Sequence, residues 1–403
     1  MLADFQLLTN ILSKRKTNSM KKILIAHPEL KPRGGSEARP LWIAQALKED
    51  HEVTLISQGN IDFPLLNESY GTSLQEKEVK KIELPYPSSI FTRFDAYRSL
   101  PLIRYCQAKS NEFDILISSY NVLDLKKRGI QFIADFSFSD RLRRKFNPQH
   151  GWFNKLKYEF SPLRAIYLKI AQWISRTSSS GWKRNLTVAN SKWTQLILKA
   201  EFNIDSEVIY PPVRSPDNKV SWEDREEGFV ILGRISPEKK IEQAIEIVRR
   251  VRDYLSHKNL HLHILGGSGP KSGYYEKLRT LTKNAQDWIF WEGPVFGPNK
   301  YAILQKHKYG LNCRPFEPFG IAVAEMVKSG CLVWVPKRGG QEEIVSHPDL
   351  ISNNLEEAVQ KIIEVVENER RELLLRQHLA EQALKFSPEA FTKKVRNLIS
   401  QFE

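Results

Sequence analysis

The chain has 403 residues, 61 Lys and Arg against 47 Asp and Glu, a formal net charge of +14 and 41% hydrophobic residues. That length suggests two or three domains, each able to bury a core without disulfides or metals. A mean hydropathy of -0.43 excludes a polytopic membrane protein, and 10% aromatics with 9 Trp exclude a disordered chain.

Residues 1–19 read as an appendage. Asp4 precedes a short apolar stretch and Lys14-Arg15-Lys16 follows it, the reverse of a signal peptide. An overextended gene start is the preferred explanation, with a weak amphipathic helix as the alternative. From Met20 the chain alternates apolar runs with helical patterns. Strands are predicted at KKILIAH (21–27), HEVTLIS (51–57), FDILISS (113–119), IQFIADF (130–136) and NLTVANS (185–191), with a helix at EARPLWIAQALKE (37–49). A polar, Pro-rich stretch from Pro211 to Glu227 has linker composition.

The pattern then restarts. GFVILGR (228–234), LHLHILG (260–266), DWIFWEG (287–293) and CLVWVPK (331–337) are predicted strands, and residues 241–255, 274–285, 355–384 and 389–402 are helical. Apolar strands separated by helices imply parallel sheets covered on both faces. The fold class is therefore α/β, two doubly wound Rossmann-like domains in tandem. The expected boundaries are 20–212, a linker at 213–228, 229–385 and a C-terminal helix at 386–403. No run approaches the ~20 apolar residues of a membrane span. Cys106, Cys313 and Cys331 match no C-x-x-C spacing, so neither a disulfide scaffold nor a zinc site is expected, and a reducing compartment fits best.

The charge is unevenly distributed. Residues 1–135 hold 19 basic and 16 acidic side chains, and residues 186–403 hold 31 and 29. The segment 136–185 holds 11 basic residues against Asp140 and Glu159 alone, a net of +9. Within it Leu163, Ile166, Tyr167, Ile170 and Ile174 recur at the helical period after Ser161-Pro162, with Trp152, Phe153, Trp173 and Trp182 beside them. A basic helix with a Trp-bearing apolar face suits an anionic membrane interface. A helix packed on its own domain with a solvated basic rim is the plainer reading, and nucleic-acid binding the third, without an accompanying motif.

In the second half, EPFGIAVAEMVKSG places Glu317 and Glu325 eight residues apart. A helix beginning near Gly320 would carry Glu325, leave Glu317 in the preceding loop and expose the amides of Phe319, Gly320 and Ile321 as an anion site. In GRISPEKK, Arg234 at a strand end and Lys239 five residues on can reach the same phosphates.

Together these motifs resemble the retaining glycosyltransferases of family 4, which have the GT-B architecture. The resemblance spans about residues 20–400. It rests on GGSEARPLWIAQAL (34–47), LTVANSKWT (186–194), VIYPPV (208–213), LGRISPEKK (232–240), LHILGGSGP (262–270), EPFGIAVAE (317–325) and GGQEEIV (339–345). NSKWT and YPPV after a long basic insertion are similar to the mannosyltransferase branch that elongates lipid-linked oligosaccharides. The resemblance implies that Arg234 and Lys239 neutralise the donor diphosphate and that Glu317 lies beside the transferred sugar. It further implies that Glu325 binds the ribose hydroxyls, and that Gly320 and Ile321 offer amides to phosphate. Gly34 and Gly35 would close over the donor, Val295 would border the base, and helix 386–403 would pack back on the first domain. Asp135 stands where the family commonly has His, so its role is open between binding a sugar hydroxyl, accepting the acceptor proton and capping a loop. His27 is expected to be structural, and His261 and His263 to face solvent or a helix.

The expected activity is a retaining hexosyl transfer from GDP-mannose or a UDP-sugar to a lipid-linked or cell-surface glycan. No cofactor or metal is expected, since Asp-x-Asp is lacking. The expected location is cytoplasmic and peripheral at the membrane, with no nucleic-acid partner. The alternatives are a nucleic-acid-binding protein using 136–185 and a nicotinamide-dependent oxidoreductase, for which G-x-G-x-x-G after a first strand is missing.

Overall fold

The structure is a computed structural model that describes residues 20–31, 34–86, 96–147, 162–216, 218–256, 258–269 and 272–402. The expectations for residues 1–19, for Trp152 and Phe153 and for the side chain of Leu163 lie outside the described residues.

In the first half, β1 (Lys22–Glu29), β2 (Glu52–Gln58), β3 (Val79–Leu84), β4 (Ile115–Ser118), β5 (Ile130–Ile133), β6 (Leu186–Ala189) and β7 (Ser206–Val208) form a parallel sheet in the order β3-β2-β1-β4-β5-β6-β7. In the second half, β8 (Glu226–Leu232), β9 (His261–Leu265), β10 (Ile289–Gly293), β11 (His307–Leu311), β12 (Leu332–Pro336) and β13 (Ile351–Ser352) repeat the pattern as β10-β9-β8-β11-β12-β13. The runs Ile23–Ala26 and Phe229–Ile231 are buried, as a central strand covered by helices on both faces must be. Each sheet reverses its strand order beside its first strand, between β1 and β4 and between β8 and β11. That is where α/β proteins open a crevice at the strands' carboxyl ends.

Four strands had no clear sequence signal, the shortest being β13 with two residues. β3 reads Val-Lys-Lys-Ile-Glu-Leu, a charged edge strand, and β7 has three residues. β11 is polar at His307 and Lys308 and carries Gly310, where a Cβ would lie 2.9 Å from Met326 Sδ. One expected helix is two. Residues 355–384 divide into Leu355–Val366 and Glu369–Ala383, because the Asn368 side chain accepts from Arg371 N at 2.9 Å and starts a new helix.

The chain passes between the domains around residues 209–225 and again at 384–388. The two passages touch where Val213 N donates to Phe386 O at 2.8 Å. The last helix, Pro388–Gln401, buries Phe391, Val395, Leu398 and Ile399 with Ile23, Leu41 and Leu55 of the first domain. Arg396 Nε holds it in place by donating to Ala46 O at 2.7 Å.

The basic segment folds as α1 (Asp140–Phe146), α2 (Pro162–Ser175) and a short helix, Ser179–Lys183. Its charges are partly engaged. Arg141 and Lys145 pair with Glu201 at 2.7 and 3.3 Å, and Arg164 pairs with Asp140 at 2.9 Å. α1 also faces the other domain, with the Phe146 ring 5.3 Å from that of Phe316. Its charge therefore belongs partly to the rim of the cleft and not wholly to an outer surface. α2 differs. Ile166, Ile170 and Trp173 are exposed, Trp173 at 81%, while Ala171 on the opposite side is buried. Tyr167, assigned to the same stripe from the sequence, turns inward, its hydroxyl accepting from Ala96 N at 3.0 Å. Among the described residues no helix is long and apolar enough to cross a membrane.

Candidate active site

The carboxyl end of β1 lies across a cavity of about 1110 Å³ from those of β8 and β11, between the domains. Gly34, Gly35, Asp135, Arg234, Lys239, Val295, Glu317, Phe319, Gly320, Ile321 and Glu325 all line it. Every site residue expected from the sequence thus borders a single space.

Glu317 leads into the helix α3 (Ile321–Lys328), which starts at Gly320 with φ 102°. Only glycine adopts that backbone without strain. Its neighbours press close, since a Cβ on Gly320 would lie 3.1 Å from Gln341 Cβ, and one on Gly340 only 2.2 Å from Pro318 O. Gly340 N donates to Glu317 O at 2.7 Å. The GGQ segment therefore underlies the EPFG loop and sets its shape. Lys239 is the last residue of a 3-10 turn, Pro237–Lys239, and its Nζ lies 2.9 Å from Glu317 Oε2. Arg314 Nη1 is 3.3 Å from both Glu317 oxygens. Burial by itself would raise the Glu317 pKa, but Lys239, Arg314 and Arg234 together hold it down at about 2. The side chain is a fixed anion on the cavity wall. Arg234 extends from the end of β8, 78% exposed and 3.8 Å from Glu238.

Phe319 has two functions in the fold. Its amide lies beside the start of α3, while its ring is buried against Tyr210 and Phe386 at 5.8 and 5.5 Å, where the two interdomain passages meet. Glu325, one turn into α3, pairs with Lys300 Nζ at 2.6 Å. Val295 lies in the loop after β10, and Lys300 on the helix that follows it, Gly297–Lys306.

Across the cleft, Gly35 approaches Ile321 so closely that a Cβ would lie 2.4 Å from Ile321 Cδ1. The glycine loop thus already touches the start of α3. Asp135 follows β5 in a polar network. Its Oδ1 accepts from Asn121 Nδ2 at 2.8 Å and Ser137 N at 2.9 Å, and its Oδ2 accepts from Tyr120 at 3.1 Å. Asn121, at φ 59°, also accepts from the amides of Ala134 and Asp135 at 2.8 and 3.1 Å, so the carboxylate is aimed by its surroundings. His27 does not line the cavity. It is 3% exposed, and burial lowers its pKa to about 3.

Several cavity residues were not anticipated. Arg314 stands three before Glu317 in RPFE, and its i, i+3 spacing was the available signal. Lys300 gave none, because only tertiary packing brings it to Glu325. Arg39, the arginine of GGSEAR, is buried with Nη1 donating to Ser119 O at 3.2 Å, and burial lowers its pKa to about 10. Glu37 borders the glycine loop, and burial raises its pKa.

A largely buried carboxylate flanked by cations, a helix start and an exposed arginine make an arrangement suited to a dianionic group beside a developing positive centre. Residues 215–386 match the family described as glycosyl transferases group 1. Among solved structures the chain is similar to HepE from Anabaena in complex with UDP and glucose, with TM-score 0.66 and 16% identity over 95% of this chain and 100% of that one. It is also similar to WaaG, a glycosyltransferase involved in lipopolysaccharide biosynthesis, with TM-score 0.68 and 12% identity over 94% of this chain and 100% of that one. Sucrose-phosphate synthase from Thermosynechococcus elongatus has TM-score 0.67 and 14% identity over 94% of this chain and 98% of the other. No curated protein sequence matches. The fold is GT-B, and the match to the glycosyl transferases group 1 family lies within its second domain.

Proposed function

We propose that the protein is a retaining hexosyltransferase that uses a nucleoside-diphosphate sugar without a metal and acts on a lipid-linked or cell-surface glycan. The observation that carries this reading is the contact of Lys239 with a Glu317 held ionised at the start of α3. Breaking a glycosyl–phosphate bond leaves positive charge at the anomeric carbon and negative charge on the departing diphosphate. Arg234, Lys239 and the amides of Phe319, Gly320 and Ile321 stabilise the second, and the Glu317 carboxylate stabilises the first. Glu325 receives the ribose hydroxyls, with Lys300 fixing its orientation. Val295 borders the base, while Gly34 and Gly35 cover the diphosphate from the other domain. Asp135, aimed by Asn121 and Tyr120, takes a hydroxyl of the sugar or of the acceptor.

The cytoplasmic face of an anionic membrane is the proposed location. Exposed Ile166, Ile170 and Trp173 on α2 support it, because an apolar stripe beside basic residues suits a headgroup layer. Thermal-shift titration with UDP-, GDP- and ADP-sugars tests the donor class. One series should stabilise the protein, and Arg234→Ala should abolish that shift. No response to any nucleotide sugar, with Glu317→Ala and Arg234→Ala indistinguishable from the parent, would overturn the reading. Product NMR at the anomeric proton tests retention.

A further inference from the structure

Three histidines meet at the opposite end of the second sheet from the cleft, where its strands begin. His261 and His263 share a face of β9, and His307 opens β11. β8 lies between those strands, so their backbones are about 9.6 Å apart. The β8 residue paired with His261 is Gly228. A Cβ there would lie 2.3 Å from His261 Nε2 and 2.5 Å from His307 Cδ2. Gly228 is not among the positive-φ glycines, so the backbone does not demand it. What it provides is the gap through which the rings meet. The His263 and His307 centroids are 4.2 Å apart, and His261 stands 5.2 Å from each.

One nitrogen of each ring is already engaged. His307 Nδ1 lies 2.7 Å from Ile303 O, His263 Nδ1 2.6 Å from Glu292 Oε1, and His261 Nδ1 3.2 Å from Asn259 O. A proton on each Nδ1 leaves Nε2 as a lone-pair donor, the usual arrangement around a metal-binding histidine. The Nε2 atoms of His261 and His307 are buried without a hydrogen-bond partner. One ring nitrogen from each lies within 4.8 Å of the others. Glu226 Oε2 is 3.2 Å from His261 Nε2 and 3.6 Å from His307 Nε2, while its other oxygen meets Lys306 at 2.9 Å.

We propose that His261, His263 and His307 bind a divalent transition ion of the zinc class, with the Glu226 carboxylate as fourth ligand. Imidazole and carboxylate donors suit that class, and tetrahedral bonds of about 2.0–2.1 Å place neighbouring ligand atoms roughly 3.4 Å apart. Contraction to that spacing falls first to Glu226, the most exposed member at 41% side-chain exposure, while His261 and His263 are at 14% and His307 at 1%. The ion joins the starts of β8, β9 and β11. It lies the length of β8, about 20 Å, from the cleft, so its effect is on the stability of the second domain and not on sugar transfer.

The test uses the untagged full-length protein, stripped with chelator and titrated with Zn²⁺ and Co²⁺. The expected results are one equivalent bound per chain, a tetrahedral d–d absorption with Co²⁺, and a melting midpoint raised by several degrees with Zn²⁺. The His263→Gln/His307→Gln variant should lose all three. If it does not fold, Glu226→Gln should shift the Co²⁺ spectrum and weaken binding at least tenfold. His347→Gln serves as the control, since His347 and His378 form a separate pair with centroids 5.4 Å apart, and it should bind like the parent. No bound equivalent, or a Co²⁺ spectrum lost in His347→Gln and retained in Glu226→Gln, would overturn the proposal.

Discussion

The carboxylate of Glu343 in the second domain accepts a hydrogen bond from the backbone amide of Trp193 in the first, at 2.8 Å. Lys192 N donates to the same carboxylate at 3.0 Å, and the Tyr210 hydroxyl at 2.9 Å. Trp193 is in the first turn of helix Lys192–Phe202, where an anion is favoured by unpaired amides and the helix dipole. Beside it Ser191 Oγ and Thr194 Oγ1 both donate to Pro318 O. Three motifs far apart in sequence, NSKWT, EPFG and GGQEE, therefore form one interface that sets how the domains meet.

Glu343→Ala leaves two helix amides and a tyrosine hydroxyl without their acceptor. It should cost about 2–3 kcal/mol and speed proteolysis in the 211–227 connection. Glu343→Gln keeps one acceptor oxygen and should cost less. Denaturant unfolding and limited proteolysis of both variants check this.

The Lys239–Glu317 pair should separate binding from chemistry. Glu317→Gln keeps the shape and removes the charge, and should lower kcat by about 10²–10³-fold with little change in donor KM. Arg234→Ala acts on the diphosphate and should raise donor KM as well. Steady-state kinetics with the donor found by thermal shift decides whether the two variants divide in this way.

Gly320→Ala places a side chain on a backbone at φ 102°, with Gln341 Cβ 3.1 Å away. The expected loss is about 1–2 kcal/mol of stability, together with weaker nucleotide binding as the start of α3 shifts. A variant with unchanged melting midpoint and unchanged nucleotide affinity would show that the positive φ has no part in the phosphate site.

His27 should make stability pH-dependent. Burial takes its pKa from 6.5 to about 3. Between those values the unfolded chain holds a proton that the folded chain does not, so stability falls as pH drops through that window. His27→Gln should flatten the slope. Urea midpoints at about pH 7 and pH 5 for both proteins measure it.

Replacing Ile166, Ile170 and Trp173 by Ser removes the exposed stripe of α2 and should weaken co-sedimentation with anionic vesicles at least tenfold. Donor binding should be unchanged. Vesicle binding equal to that of the parent would leave the stripe without a membrane role.

The class of the fold was legible because its signals are local. Short β-branched apolar runs such as Ile23–Ala26 and Phe229–Ile231, alternating with helical patterns, read as central strands, and Gly320 after Glu317 marks a helix start through a backbone angle. The motif residues were legible only as a set, since most lie near a strand's carboxyl end or a helix start, and a doubly wound sheet brings those ends to one crevice. What remained hidden depends on partners distant in sequence. Lys300 has no local mark and matters only because packing brings it to Glu325. Tyr167 shares the periodicity of Ile166 and Ile170, yet its hydroxyl turns to Ala96.

The charge of +14 shows the division most clearly. The sequence by itself determined that the excess lies in 136–185, because counting needs no coordinates. Only the tertiary structure decided which of those charges have partners. Glu201 and Asp140 engage much of α1 at the cleft rim, while α2 keeps its apolar stripe exposed. The same holds at the strand starts, where His261, His263 and His307 are unremarkable in order along the chain. A missing Cβ at Gly228 is what lets their rings meet, and sheet order is information that no local pattern contains.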